Sequence, residues 1–113
     1  MKLIRKKITI HGGNELFILK PCDISKSVTA GHDNKGFVLI WGNGSGYQFL
    51  AECFSIAASL QKNEILYIPI RYCPSDDFKE TFNGFEYNYN IVCVNYCETQ
   101  ISLKDIEEIC VSQ

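Results

Sequence analysis

The stretch Phe37–Gln61, FVLIWGNGSGYQFLAECFSIAASLQ, decides the fold. It passes from an apolar run through Gly42, Gly44 and Gly46 into a segment of helical periodicity. Many proteins hold a phosphate with that order of strand, glycine loop and helix. The spacing here argues against a phosphate. A Walker-type loop needs a lysine followed by Ser or Thr, and no lysine lies between Lys35 and Lys62. A dinucleotide fingerprint needs G-x-G-x-x-G and an acid at the end of the next strand. The three glycines fall one residue short of that spacing, and the next apolar run ends in Arg71. Glycine also serves tight strand-to-helix turns where no ligand is involved. The expectation is therefore a structural turn, with no cofactor.

The helix that follows is the clearest element. Ser45 with Gln48 three residues on has the capping-box pattern and predicts Ser45 as N-cap. Phe49, Cys53, Ile56 and Leu60 recur at helical spacing, and Leu50, Phe54 and Ala57 widen the stripe. So broad an apolar face suits a helix laid on a sheet. Glu52, Ser55, Ser59 and Lys62 fall on the opposite side.

Upstream, two isoleucine-rich runs flank Gly12-Gly13-Asn14 and predict a β-hairpin whose second strand closes at Pro21. Residues 22–35 are polar and turn-rich, a loop with room for one short extended piece. Residues 36–41, GFVLIW, are apolar at consecutive positions and predict a central, covered strand. Downstream, EILYIPI predicts a fourth strand with Pro69 at an edge or bulge, and FEYNYNIVCVNYC a long fifth. Ser102 with Asp105 three on opens a short final helix. The expected fold is one α+β domain over residues 1–113, in the order ββ–β–α–β–β–α. It has a mostly antiparallel five-stranded sheet, one principal helix on a face and a short C-terminal helix.

Composition is that of an ordinary folded domain, with 46% apolar and 21% charged residues over 113 positions. No apolar run reaches the length of a membrane helix, and the N-terminus lacks the apolar core of a signal peptide. A cytoplasmic protein with no membrane partner is expected. Six cysteines, at positions 22, 53, 73, 93, 97 and 110, are scattered without a C-x-x-C and without histidines at zinc-finger spacing. They read as reduced thiols, mostly in the core, with no metal site.

Charge is asymmetric. Residues 1–35 carry seven Lys/Arg against three acids, and residues 36–113 carry four against ten. The basic front admits a nucleic-acid module on the N-terminal hairpin. However, Lys2, Arg5, Lys6 and Lys7 alternate with Leu3, Ile4 and Ile8, the pattern of an edge strand guarded by lysines. Catalysis has few candidate groups. Cys22 or Cys73 with His32, oriented by Asp23 or Asp33, can be drawn as a small hydrolase or thiol enzyme, but such pairs arise by chance among six cysteines and two histidines. No catalytic residue is assigned.

Residues 75–90, SDDFKETFNGFEYNYN, stand apart. Asp76, Asp77, Glu80 and Glu86 face a single Lys79, and Phe78, Phe82, Phe85, Tyr87 and Tyr89 crowd the same segment. Aromatics supply rigid contact area and acids steer a basic partner, whereas phosphate binding needs the opposite sign. The candidate partner-binding residues are Asp76, Asp77, Phe78, Glu80, Phe82, Glu86, Tyr87 and Tyr89. The same alternation of Phe85, Tyr87 and Tyr89 would also serve to cover a sheet.

Gly42, Asn43, Gly46, Leu50 and Ala51 give residues 37–60 a further significance. The segment resembles the strand–Gly-Asn-x-x-Gly–helix core of some small bacterial immunity proteins encoded beside polymorphic and contact-delivered toxins. The resemblance implies a non-enzymatic, cytosolic protein that binds one cognate toxin domain and blocks its active site or substrate groove. With the acidic segment, it points to a basic toxin such as a nuclease.

Overall fold

A computed structural model of the chain describes residues 1–9, 13, 15–25, 27–32, 35–73, 87–95, 102 and 104–107, with positions 73 and 87–89 described by backbone alone. The elements are β1 (Leu3–Thr9), β2 (Glu15–Pro21), β3 (Val28–His32), β4 (Val38–Gly42), α1 (Gly44–Ala58), β5 (Glu64–Cys73) and β6 (Tyr87–Val94). Residues 104–107 form a helical turn. There the Asp105 N–H donates to Ser102 Oγ at 3.1 Å, as the sequence predicts. No helix among the described residues is long and apolar enough to cross a membrane.

The ten-residue β5 is the spine of the sheet. Along one side β6 pairs with it antiparallel, from Ile65↔Val94 to Tyr72↔Tyr87. Two strands share the other side. β2 runs parallel to β5 at residues 64–66 and β3 runs parallel to it at 71–73. Because residues 65, 66, 71 and 72 also pair β6, β2 and β3 must lie on the same side of β5, one beyond the other. From Leu19 to Thr29 the chain takes ten residues to cover what β5 covers in the five from Leu66 to Arg71. The surplus falls between Pro21 and Val28, and the sheet forks there. The β1–β2 hairpin forms one prong, with Thr9↔Glu15 nearest its turn, and the β3–β4 hairpin forms the other.

The architecture is therefore α+β, as expected, but the sheet has six strands and is mixed rather than five-stranded and mostly antiparallel. The extra strand is β3, which falls in the stretch read from sequence as a loop with room for one short extended piece. Its residues Val28–His32, VTAGH, are too small and too short to show a pattern, and pairing with β4 and β5 makes them a strand. The two parallel contacts arise because β2 and β3 are successive pieces of one path along β5.

Burial inverts two further expectations. Every residue from Ile65 to Ile70 is buried, so EILYIPI, not GFVLIW, is the central covered strand. Pro69 pairs Asn90 across the β6 ladder and lies between the two parallel contacts, a stretch paired by neither β2 nor β3. A residue without an N–H is tolerated where a ladder is interrupted, and that gap takes the place of the edge or bulge expected. The β5 side chains alternate between two clusters. Leu66, Ile68 and Ile70 pack with Val28, Leu50, Cys53 and Leu60 under α1. Ile65 and Tyr67 pack with Leu16 and Ile18 on the opposite face. A strand covered on both faces loses its polar alternation, hence the unbroken apolar run.

Helix α1 buries Gly46, Leu50 and Cys53, with Phe49, Ile56 and Ala57 partly covered. Phe54, expected on that stripe, is exposed. The N-cap is Asn43, not Ser45: its Oδ1 accepts the Gly46 N–H at 3.0 Å from an extended backbone. Both residues are cap formers. The helix begins at the earlier one because Gly42 and Gly46 must lie against β3, which fixes where the turn closes. Asn43→Ala should thus lower stability by about 1 kcal/mol, while Ser45→Ala should be close to neutral. Urea unfolding of the two variants checks the assignment, and equal losses would contradict it.

Candidate functional site

Of the residues singled out in the acidic segment, Asp76, Asp77, Phe78, Glu80, Phe82 and Glu86 lie outside the described residues. Tyr87 and Tyr89 stand in β6, opposite Tyr72 and Ile70 of β5. The segment thus runs into a strand that, among the described residues, pairs β5 alone and so forms an outer margin of the sheet.

The glycine loop is built around β3. A Cβ on Gly42 would meet Ser27 O at 2.7 Å, and one on Gly46 would meet the same oxygen at 2.2 Å and Val28 Cβ at 2.8 Å. The Asn43 N–H donates to Ser27 O at 3.1 Å. The two glycines let the turn and the first turn of α1 press onto the Ser27–Val28 backbone. The inward N–H of Gly46, the kind that would cradle a phosphate, is engaged by the Asn43 side chain.

Of the cysteine–histidine pairs drawn from sequence, Cys73 stands opposite Gly31, next to His32, in the β3–β5 register, and Cys22 lines a cleft whose lining does not include His32. His32, at the end of β3, stacks on Tyr72 with ring centroids 5.6 Å apart, and its Nδ1 shares a hydrogen bond with the Tyr72 hydroxyl. Cys22 lies before β3 begins, in an open cleft of about 260 Å³ at the fork, beside Lys2, Pro21, Asp23, Phe49 and Glu52. Cys22, Cys53 and Cys93 are free thiols. Cys73 is described by backbone only, and Cys97 and Cys110 lie outside the described residues. Burial, with smaller contributions from Cys93 and Glu52, pushes the Cys53 thiol from 9.0 up to about 11, and burial raises Cys93 as well. Both are neutral at physiological pH and poor nucleophiles. Among the described residues, no three His, Cys, Asp or Glu side chains gather as metal ligands.

The basic residues of β1 are engaged within the fold. The Arg5 guanidinium lies 4.2 Å over the Phe17 ring and 3.5 Å from Glu64, and Lys7 Nζ is 3.0 Å from Glu15. The strand reads as a guarded sheet edge.

What sequence reasoning missed is a surface on β4 and the start of α1. Phe37 is 63% exposed, Val38 78%, Ile40 45%, Trp41 54% and Tyr47 47%. The signal was present in the sequence: no charged residue lies between Lys35 and Glu52, so no charge marks a solvent face. Read as buried, the run gave a covered strand; among the described residues it is the last strand of its prong. Compared with family models, curated proteins and solved structures, the chain matches none.

Proposed function

We propose that this is a non-enzymatic protein-binding protein of the immunity type, which neutralises a cognate bacterial toxin domain, a basic nuclease, by direct contact in the cytoplasm. The observation that carries the reading is the acidic, aromatic segment 75–90 leading into β6 at the margin of the sheet. Acids in such a place raise the encounter rate with a basic groove, and aromatics give the contact its lifetime. Two features support binding over the alternatives. The His32 Nδ1 is engaged by the Tyr72 hydroxyl and His32 does not line the cleft that holds Cys22, and the basic hairpin spends Arg5 and Lys7 on internal ion pairs. The likeness of residues 37–60 to small immunity proteins adds to this reading.

The test starts from the neighbouring gene: the reading expects a large toxin-bearing open reading frame immediately upstream, and its C-terminal domain supplies the partner. Cells expressing that domain should survive only when this protein is co-expressed; equal killing in both cases would overturn the reading. The variant Asp76→Asn, Asp77→Asn, Glu80→Gln, Glu86→Gln should associate with that domain about tenfold more slowly at low salt, with a flatter ionic-strength dependence and little change in dissociation. Surface plasmon resonance across a salt series reads both rates. Unchanged association at low salt would remove this segment from the interface.

A further inference from the structure

We propose that β4 is a dimerisation edge, pairing antiparallel with β4 of a second copy of this chain about a twofold axis at Ile40. The backbone geometry comes first. In an antiparallel ladder, residues alternate between turning both N–H and C=O toward the partner strand and turning both away. The Asn43 N–H donates to Ser27 O, which sets the phase of the β3–β4 ladder. In the register Thr29↔Trp41 and Gly31↔Leu39, Trp41 and Leu39 then face β3. Val38, Ile40 and Gly42 turn their N–H and C=O groups outward. Independent support comes from Tyr47, whose hydroxyl donates to Ile40 O at 3.2 Å and so reaches that carbonyl from the side away from β3.

Among the described residues, that edge lacks the charges, prolines and bulges that discourage pairing. β1, at the other end of the strand order, carries Arg5, Lys6 and Lys7. β4 carries no charge, no proline and no bulge, and Val38 and Ile40 stand exposed on it. A second copy is the occupant that fits best, because the outward positions are self-complementary. With Ile40 opposite Ile40, Val38 falls opposite Gly42 of the second copy. All three outward residues then meet outward residues, which gives a set of six N–H···O bonds. Leu39 falls opposite Trp41 of the second copy, a favourable aliphatic–aromatic cross-strand pair. No like charges meet across the axis. The exposed parts of Phe37, Val38, Ile40, Trp41 and Tyr47 amount to roughly 500–600 Å² per copy, taking large aromatics at 150–250 Å² each. If all of that area were covered, two copies together would reach about 1,000–1,200 Å², the lower limit of a specific interface. Tyr47 is the counterweight: its hydroxyl must leave Ile40 O before the Ile40 N–H of the second copy can take its place. A micromolar monomer–dimer equilibrium is the expected result.

Sedimentation equilibrium on the full chain tests this without any toxin, so its outcome is separate from that of the proposed function. The wild-type mass should rise from 12.9 kDa toward twice that value across the micromolar range. Val38→Lys, at a largely exposed position, should stay monomeric at every concentration. Tyr47→Phe, which removes the competing donor, should dimerise several-fold more tightly. Hydrogen exchange on the wild type keeps the test decisive if Val38→Lys folds poorly. The amides of Val38, Ile40 and Gly42 should gain protection with rising concentration, while those of Leu39 and Trp41 are protected throughout. A wild type that stays monomeric to about 200 μM, well above a micromolar Kd, would overturn the proposal. So would a Val38→Lys dimer as tight as wild type, or an Ile40 amide indifferent to concentration. In each case an extended segment of another protein would be the remaining occupant of the edge.

Discussion

An alanine at Gly46 is expected to destabilise the protein by about 3 kcal/mol, lowering its melting temperature by roughly 15 °C. The added Cβ would sit 2.2 Å from Ser27 O, 2.6 Å from Ser27 C and 2.8 Å from Val28 Cβ. None of these is the loose end of a side chain that could swing aside. Ser27 O is held by the Asn43 N–H, and Val28 is the first residue of β3 and 1% exposed. Relief requires the start of α1 to lift from β3, which breaks that hydrogen bond and opens the cluster of Val28, Leu50 and Cys53. Overpacking of this severity belongs at the upper end of the usual range. Gly44→Ala is the control, since nothing lies within 4 Å of its Cβ position. That variant should melt at or slightly above the wild-type temperature, because alanine is the better helix former. Thermal unfolding followed by circular dichroism reads both. A Gly46→Ala protein as stable as wild type would mean that the turn does not approach β3 as closely as these distances require.

The glycine loop shows how far the sequence could be read. Spacing and the missing lysine were enough to favour a turn over a phosphate site, because those ligands impose exact requirements on residue type. The cap could not be fixed, because Asn43 and Ser45 both satisfy the local rule. The choice between them depends on Ser27, sixteen residues or more away in the chain, and on where its carbonyl meets Gly42 and Gly46. The hairpin, the main helix and the Ser102 cap were legible because each is decided by residues close in sequence. Strand β3 was not, since Val28-Thr29-Ala30-Gly31-His32 has no pattern of its own and becomes a strand by pairing with β5 forty-two residues later.

The two apolar runs were the harder case. FVLIW and EILYIPI look alike, and periodicity cannot separate a strand covered on both faces from an unguarded edge. Only the β5 register, which gives it neighbours on two sides, makes EILYIPI the interior strand. The same ambiguity hid the β4 surface, since an apolar residue exposed for an interface and one buried in a core are identical in sequence.

That difference has a large measurable consequence. Ile68→Ala should cost about 3–4 kcal/mol, whereas Ile40→Ala, the same chemical change in the other run, should cost less than about 1 kcal/mol. Ile68 is fully buried at the middle of β5, within a cluster of Val28, Leu50, Cys53, Leu60, Leu66 and Ile70. Those neighbours come from a helix, from β3 and from β5 itself, so they cannot close together on the space the side chain leaves. The loss therefore includes a cavity as well as transfer of the removed carbons. Ile40 is 45% exposed on what is, among the described residues, the last strand of its prong, and water fills the vacated space. Urea unfolding at a protein concentration of about 1 μM, low enough to limit weak association, should give midpoints that separate the two variants clearly. The denaturant slope should hold constant, as expected when only native packing changes. Equal losses at the two positions would mean that β4 is as interior as its sequence suggests, and the dimer edge proposed for it would fall with that result.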